Sequence, residues 1–332
     1  MNPRILKILK YGLSIGLLSW LITQTDLSRV LSLIAEADRG NLALAIIAYL
    51  ASVVVVAYRW ETLLESRGIP LTLSRATGLY FIGNFFSNFL PTSIGGDAVR
   101  AYSAGTDLGK RADAFASVFI ERFMGLFAIV SMALLGFLLI AQELEHTYIV
   151  PATVVLYLLM LAAFPILFGR WGIEWLKPRY RHVTVFDLGR KTARLHDVLY
   201  QYGSHRRALA ANFALSVLYQ GVIVVMNILV ARALDLPIHP MYFVVFVPII
   251  GTISMFPFSI NALGIREGGY VLLFAQIDRP DSEALALSLI LYGITVLSSL
   301  PGGLLFALQA ERKPMMVTQE QMPMDVITKD VP

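Results

Sequence analysis

Long apolar stretches, parted by short polar ones, dominate this sequence. Six come close to the length that crosses a hydrocarbon core, roughly 20 residues. They are Ile8–Thr23, Asn41–Ala57, Ala114–Ala141, Tyr148–Phe168, Ala208–Ala233 and Glu283–Leu308. Each predicts a transmembrane helix, because a helix satisfies its backbone polar groups internally in lipid. Two further apolar runs are broken. Leu79–Leu90 stops at PTSIGGD, and Met241–Phe256 stops at PFSINALGIREGG before resuming as YVLLFAQI.

Loop charge orients these helices, since Lys and Arg collect in cytoplasmic loops. Arg4, Lys7 and Lys10 put the N-terminus in the cytoplasm. Gly169–Arg207, with nine Lys/Arg against three Asp/Glu, belongs on the same side. The acidic stretches Glu143–His146 and Asp278–Glu283 suit the outer side. The first two spans leave and return, and Ala114–Ala141 must start inside to deliver Glu143 outside. The segment with PTSIGGD therefore enters and leaves from the cytoplasm as a re-entrant hairpin. By the same count, PFSINALGIREGG dips in from outside. Irregular backbone at that depth needs protein or a watery cavity around it.

The two interruptions also match. Pro91, Ser93, Ile94 and Arg100 follow the pattern P-x-S-I-x5-R, and so do Pro257, Ser259, Ile260 and Arg266. The copies lie 166 residues apart, half of a 332-residue chain. The predicted fold is an all-α polytopic membrane protein of about six transmembrane helices and two re-entrant hairpins. An inverted-topology repeat, as in secondary transporters, relates its halves. The first half-repeat is 1–168, with its hairpin at 75–113. A basic cytoplasmic loop follows at 169–207. The second half takes the span 148–168 and 208–310, with its hairpin at 241–277. A polar, disordered tail, 311–332, ends the chain in the cytoplasm.

Composition agrees with this class. The chain is 57% hydrophobic and 15% charged, against about 25% charged in ordinary globular proteins, and mean hydropathy is +0.67. No large soluble domain is expected. The net charge of +4 belongs to loops and does not point to nucleic acid. With no cysteine, a thiol nucleophile, a thiolate metal site and disulfides are excluded. The five histidines fall in loops without ligand spacing, so no metal and no cofactor is expected. The N-terminus has the basic start and apolar centre of a signal peptide but no small-x-small cleavage site, so it reads as a retained span. Phe186–Tyr202 reads either as an interfacial helix on an anionic leaflet or as a packed connecting helix.

Ionisable groups inside apolar sequence carry the candidate chemistry, because they are costly at membrane depth. Asp97 and Arg100 are three apart and can pair on a helix. Asp97 is then either an N-cap that Arg100 neutralises or part of a cavity in which Arg100 grips an anion. Arg266 and Glu267 are adjacent, so they point in different directions and are not expected to pair with each other. They either snorkel at the outer interface or face the cavity. Glu121 and Arg122 sit in SVFIERFMGL, either near the inner interface or lining the same cavity. Gly95, Gly96 and Gly264 are expected to relax the backbone at the hairpin tips, with Pro91 and Pro257 before them. Ser93, Ser259, Asn261, Asn84, Ser87 and Asn88 are hydrogen-bonding candidates or interhelical packing groups. Helix starts with free N–H groups favour anions.

The stretches NFFSNFLPTSIGGDAVRAY, ASVFIERFMGL and PFSINALGIREGGY resemble signatures of the lysylphosphatidylglycerol synthase transmembrane-region family of flippase-like membrane proteins. The resemblance covers roughly Lys7 to Leu308. It implies a bacterial or archaeal cytoplasmic-membrane protein. Its motif positions here are Pro91, Gly95, Gly96, Asp97, Arg100, Glu121, Arg122, Asn261, Gly264, Arg266 and Glu267. Many relatives carry Asp where Glu121 stands. In the namesake enzymes a soluble domain transfers lysine to phosphatidylglycerol, and the membrane region is credited with moving the product between leaflets. No such soluble domain is read in these residues, so aminoacylation is not expected.

The leading expectation is a translocator of an anionic membrane lipid, without a catalytic residue. A G-x-x-x-x-G-K-[ST] nucleotide loop is absent, so ATP drive is not expected. The alternatives are an intramembrane lipid-modifying transferase or a non-transporting partner of a lipid-synthesis enzyme. A homo-oligomer is compatible with each.

Overall fold

The computed structural model describes residues 16, 19–21, 23–89, 93–106, 110–140, 149–169, 197–255 and 260–312. Most of the predicted first span, most of the basic loop 169–207, the tail from 313, and Pro91, Pro257 and Ser259 lie outside the described residues. In chain order the helices are α1 (Leu27–Glu36), α2 (Arg39–Glu65), α3 (Leu73–Phe89), α4 (Ser93–Thr106), α5 (Arg111–Ile140) and α6 (Ile149–Phe168). They continue as α7 (Arg206–Ala233), α8 (Pro240–Met255), α9 (Ile265–Ala275) and α10 (Asp281–Arg312). Residues 197–203 are also helical, Ile260–Ala262 forms one 3-10 turn, and there is no strand among the described residues.

Five of these helices, α2, α5, α6, α7 and α10, are long and apolar enough to cross a membrane. They coincide with five of the six predicted spans. Helices α3 and α8 have 17 and 16 residues, about 25 Å at about 1.5 Å per residue, short of a hydrocarbon core about 30 Å thick.

Local chemistry sets the helix ends. The Asp38 carboxylate accepts from the Asn41 amide at 2.8 Å and caps α2. Asp281 and Glu283 stand in the first turn of α10, where carboxylates complement the helix dipole. Between α8 and α9 the chain turns through left-handed backbone, with φ of 48° at Asn261, 57° at Ala262 and 81° at Gly264. Glu267 then folds back, and its Oε2 accepts from the Gly264 amide at 2.7 Å, closing the start of α9.

Helix α2 lies along α7, the most extensive pairing in the molecule. Helix α3 packs against α4 and α10, while α8 packs against α5. Trp60, Phe243, Phe246 and Phe274 are fully buried between these layers. Helix α6 lies at the margin, with few of its residues buried. It rests on α5 through the stacked Phe127–Tyr157 pair, and its apolar face suits lipid.

Small residues let the helices touch backbone to backbone, as membrane bundles require. A Cβ on Gly96 would lie 2.0 Å from the Gly83 carbonyl oxygen and 2.4 Å from Ser87 Oγ. This corrects the expectation that Gly96 relaxes a tip: it lies inside α4, and its use is close approach to α3. Gly264 does take the left-handed backbone expected of it. Gly95 lies in the first turn of α4.

Candidate functional site

Glu121 is the centre of the first cluster. It is buried, 2% exposed, on α5. Its Oε1 accepts from Arg59 Nη2 on α2 at 2.5 Å and from the Tyr80 hydroxyl on α3. Its Oε2 accepts from Arg100 Nη2 on α4 at 2.7 Å. Arg59 Nη1 also donates to Ser216 Oγ on α7 at 2.9 Å. One carboxylate thus ties together four helices, and Arg59 adds α7 as a fifth. The Arg100 guanidinium lies over the rings of Trp60 and Tyr80, 4.7 and 4.3 Å from their centroids. Trp60 is itself fixed by donating to Ser117 Oγ.

Asp97 extends the cluster. Its Oδ1 accepts from Arg100 Nε at 3.0 Å, the expected pairing across one helical turn. Its Oδ2 accepts from Arg122 Nε at 2.6 Å. Helix α4 starts at Ser93, so Asp97 lies a turn inside it and the N-cap reading does not hold. The two arginines differ: the Arg100 side chain is 4% exposed and that of Arg122 44%. Among the described residues Arg122 is held by one carboxylate, Asp97, so it can exchange that partner for another anion.

The second cluster sits at the start of α9. Arg266 Nη2 donates to Glu267 Oε1, and Arg266 Nε donates to Ser288 Oγ on α10 at 3.2 Å. The Arg266 guanidinium lies 4.7 Å from the Tyr292 ring centroid. This corrects the expectation that adjacent Arg266 and Glu267 cannot pair. Both long side chains bend back over the first turn of α9, where Ser288 meets both of them.

Both clusters open on one cavity of about 470 Å³, within the range of ligand pockets. Arg59, Asp97, Arg100, Glu121 and Arg122 line it from one half of the chain, Asn261 and Arg266 from the other. The two motifs touch directly: Asn261 Nδ2 donates to Asn88 Oδ1 at 2.8 Å, and Asn88 Nδ2 donates to Ser299 Oγ at 3.0 Å. Four arginines face two carboxylates on this wall, so the cavity is cationic. Glu267 and Gly264 stand behind the lining. No cluster of metal-ligating side chains occurs among the described residues.

The profile of the lysylphosphatidylglycerol synthase TM region matches residues 7–302. The chain belongs to this family. A UPF0104 membrane protein of Pyrococcus horikoshii is 30% identical over 141 residues, 42% of this chain and 41% of that protein. The match thus spans less than half of that relative, whose name carries no activity. No solved structure matches the chain.

In this member of the lysylphosphatidylglycerol synthase transmembrane-region family, the sequence reading missed Arg59 and Tyr80. Arg59 falls just past the predicted end of its span at Ala57, yet α2 continues to Glu65 and buries it. An arginine two residues beyond a long apolar run, next to Trp60, was the available signal.

Proposed function

We propose that this protein is a lipid translocator of a bacterial or archaeal cytoplasmic membrane. It binds an anionic phospholipid or lipid-linked phosphate headgroup in the cavity between the two motifs. One observation carries the reading: arginines from both halves, Arg100 and Arg122 from one and Arg266 from the other, line a single cationic space. Phosphate is the membrane anion that guanidinium groups hold best.

In this reading α3–α4 and α8–α9 are re-entrant hairpins, and the halves form an inverted repeat with both termini in the cytoplasm. The packing supports it. Each short first arm lies on the closing span of the other half, α3 on α10 and α8 on α5, and the corresponding spans α2 and α7 lie together. The headgroup crosses through the cavity while the acyl chains stay in the bilayer. Arg122 exchanges Asp97 for the phosphate, and buried Arg100 holds the site's shape.

The test is a proteoliposome assay with fluorescent phosphatidylglycerol, scored by dithionite access, on wild type and Arg122→Ala/Arg266→Ala. Each lost charge-assisted hydrogen bond is worth about 1.5–3 kcal/mol. The double variant is therefore expected to move lipid at least about tenfold more slowly. Arg122→Ala alone, at an exposed pair, should leave the melting temperature unchanged, whereas losing Arg266 strands buried Glu267 and should lower it. Equal rates would sink the role of the two arginines. No movement by wild type would sink the translocator reading.

A further inference from the structure

The polar wall of the cavity is longer than a phosphate needs. Tyr80, Gly83, Asn84, Ser87 and Asn88 all line it from α3. Their spacing of three and four residues puts them on one stripe of the helix. From Tyr80 to Asn88 the stripe rises about 12 Å, at about 1.5 Å per residue. Its Tyr80 end is charged, for there Tyr80 and Arg100 both bond to Glu121. Its Asn88 end is neutral, an amide chain from Asn261 through Asn88 to the Ser299 hydroxyl.

Three buried atoms of the lining residues have no hydrogen-bond partner among the described residues: Arg100 Nη1, Arg59 Nε and the Ser254 hydroxyl. Buried polar atoms are seldom left unpaired. Two of these are cationic donors suited to phosphate oxygens, and the third is a hydroxyl that can donate or accept. Gln220 and Asn84 add amides to the same wall, and amides bond well to hydroxyl groups in both directions.

The carboxylates tell against an amine. Of the two that line the cavity among the described residues, Glu121 is held by Arg59 and Arg100, and Asp97 by Arg100 and Arg122. Glu267, behind them, is engaged by Arg266 and the Gly264 amide. An ammonium entering here would meet guanidinium groups before it met an unengaged carboxylate, and like charges at close range repel.

We infer that the substrate, within the translocator reading on which this rests, is a lipid whose phosphate carries a polyhydroxyl group such as glycerol, inositol or a sugar. Headgroups bearing an amine, aminoacylated ones included, are rejected. The phosphate lies at the arginine end, and the hydroxyls lie along Asn84 and Asn88.

The test uses the purified full chain in proteoliposomes with four lipids labelled on an acyl chain: phosphatidylglycerol, phosphatidic acid, phosphatidylethanolamine and lysylphosphatidylglycerol. Wild type is expected to move phosphatidylglycerol about tenfold faster than phosphatidic acid, the worth of about two neutral hydrogen bonds. Neither amine-bearing lipid should move above the protein-free rate. Asn84→Leu should bring the ratio of phosphatidylglycerol to phosphatidic acid close to one. The wild-type ratio decides the matter even where that variant does not fold. Equal rates for the two anionic lipids, or fast movement of either amine-bearing lipid, would overturn the headgroup assignment while leaving translocation intact. Movement of none of the four would overturn both.

Discussion

Glu121→Gln is expected to destabilise the protein by about 3–5 kcal/mol, the usual cost of removing one partner from a buried ion cluster. The change keeps the shape of the side chain and removes its charge. Two guanidinium groups then lose their shared counter-ion. Arg100 keeps Asp97, but Arg59, 7% exposed, keeps no carboxylate among the described residues, with the Ser216 hydroxyl and the Tyr219 ring beside it. Four helices meet at this carboxylate and a fifth joins through Arg59, so lipid movement should be lost as well. Thermal unfolding in detergent, on wild type and variant, measures the cost. Removing the stranded charge as well, in Arg59→Met/Glu121→Gln, should recover part of it, because the two sites are coupled. A melting temperature equal to that of wild type would mean that the guanidinium groups find other acceptors and the cluster does not hold these helices together.

Gly96→Ala is expected to cost about 1–3 kcal/mol, the range for overpacking a close contact. Its new methyl would lie 2.0 Å from the Gly83 carbonyl oxygen, which is backbone and cannot rotate away. Helices α3 and α4 would have to separate, pulling Arg100 from the Glu121 cluster. Gly302→Ala meets the same obstacle at the Phe81 carbonyl oxygen, also at 2.0 Å. Gly221, within α7, has nothing within 4 Å of the corresponding position. Gly221→Ala should therefore stabilise by about 0.5–1 kcal/mol through helix propensity alone. Melting temperatures of the three variants would separate close packing from backbone freedom. A Gly96→Ala protein as stable as wild type would contradict the backbone contact.

The long spans were legible because twenty apolar residues in a row admit few other structures. The recurrence of ionisable residues at matching positions in two apolar runs was legible; that these residues line one cavity was not. What escaped was the third dimension. Arg59 seemed to lie outside its span because apolarity ends at Ala57, yet tertiary burial by Glu121 carries α2 on to Glu65. The pairing of Arg266 with Glu267 was dismissed on helix angles, but flexible side chains in a first turn can bend back toward the open end. Gly96 was read for its backbone freedom, when the missing side chain was what mattered. A single chain reveals nothing of Gly83 across the gap.

The neutral part of the cavity has a consequence for how the protein is made. Asn88 finds its partners 173 residues later at Asn261 and 211 residues later at Ser299. At about 5–20 residues per second, synthesis takes roughly 10–40 s to supply the second of these. The arginine cluster, by contrast, has its core, Arg59, Tyr80, Arg100 and Glu121, within a short early stretch of chain. A nascent chain therefore carries the core of the ionic cluster before these two partners of Asn88 exist. Polypeptides that stop before Asn261 would lack both of these partners of Asn88, a mark by which membrane quality control can tell an incomplete copy from a complete one.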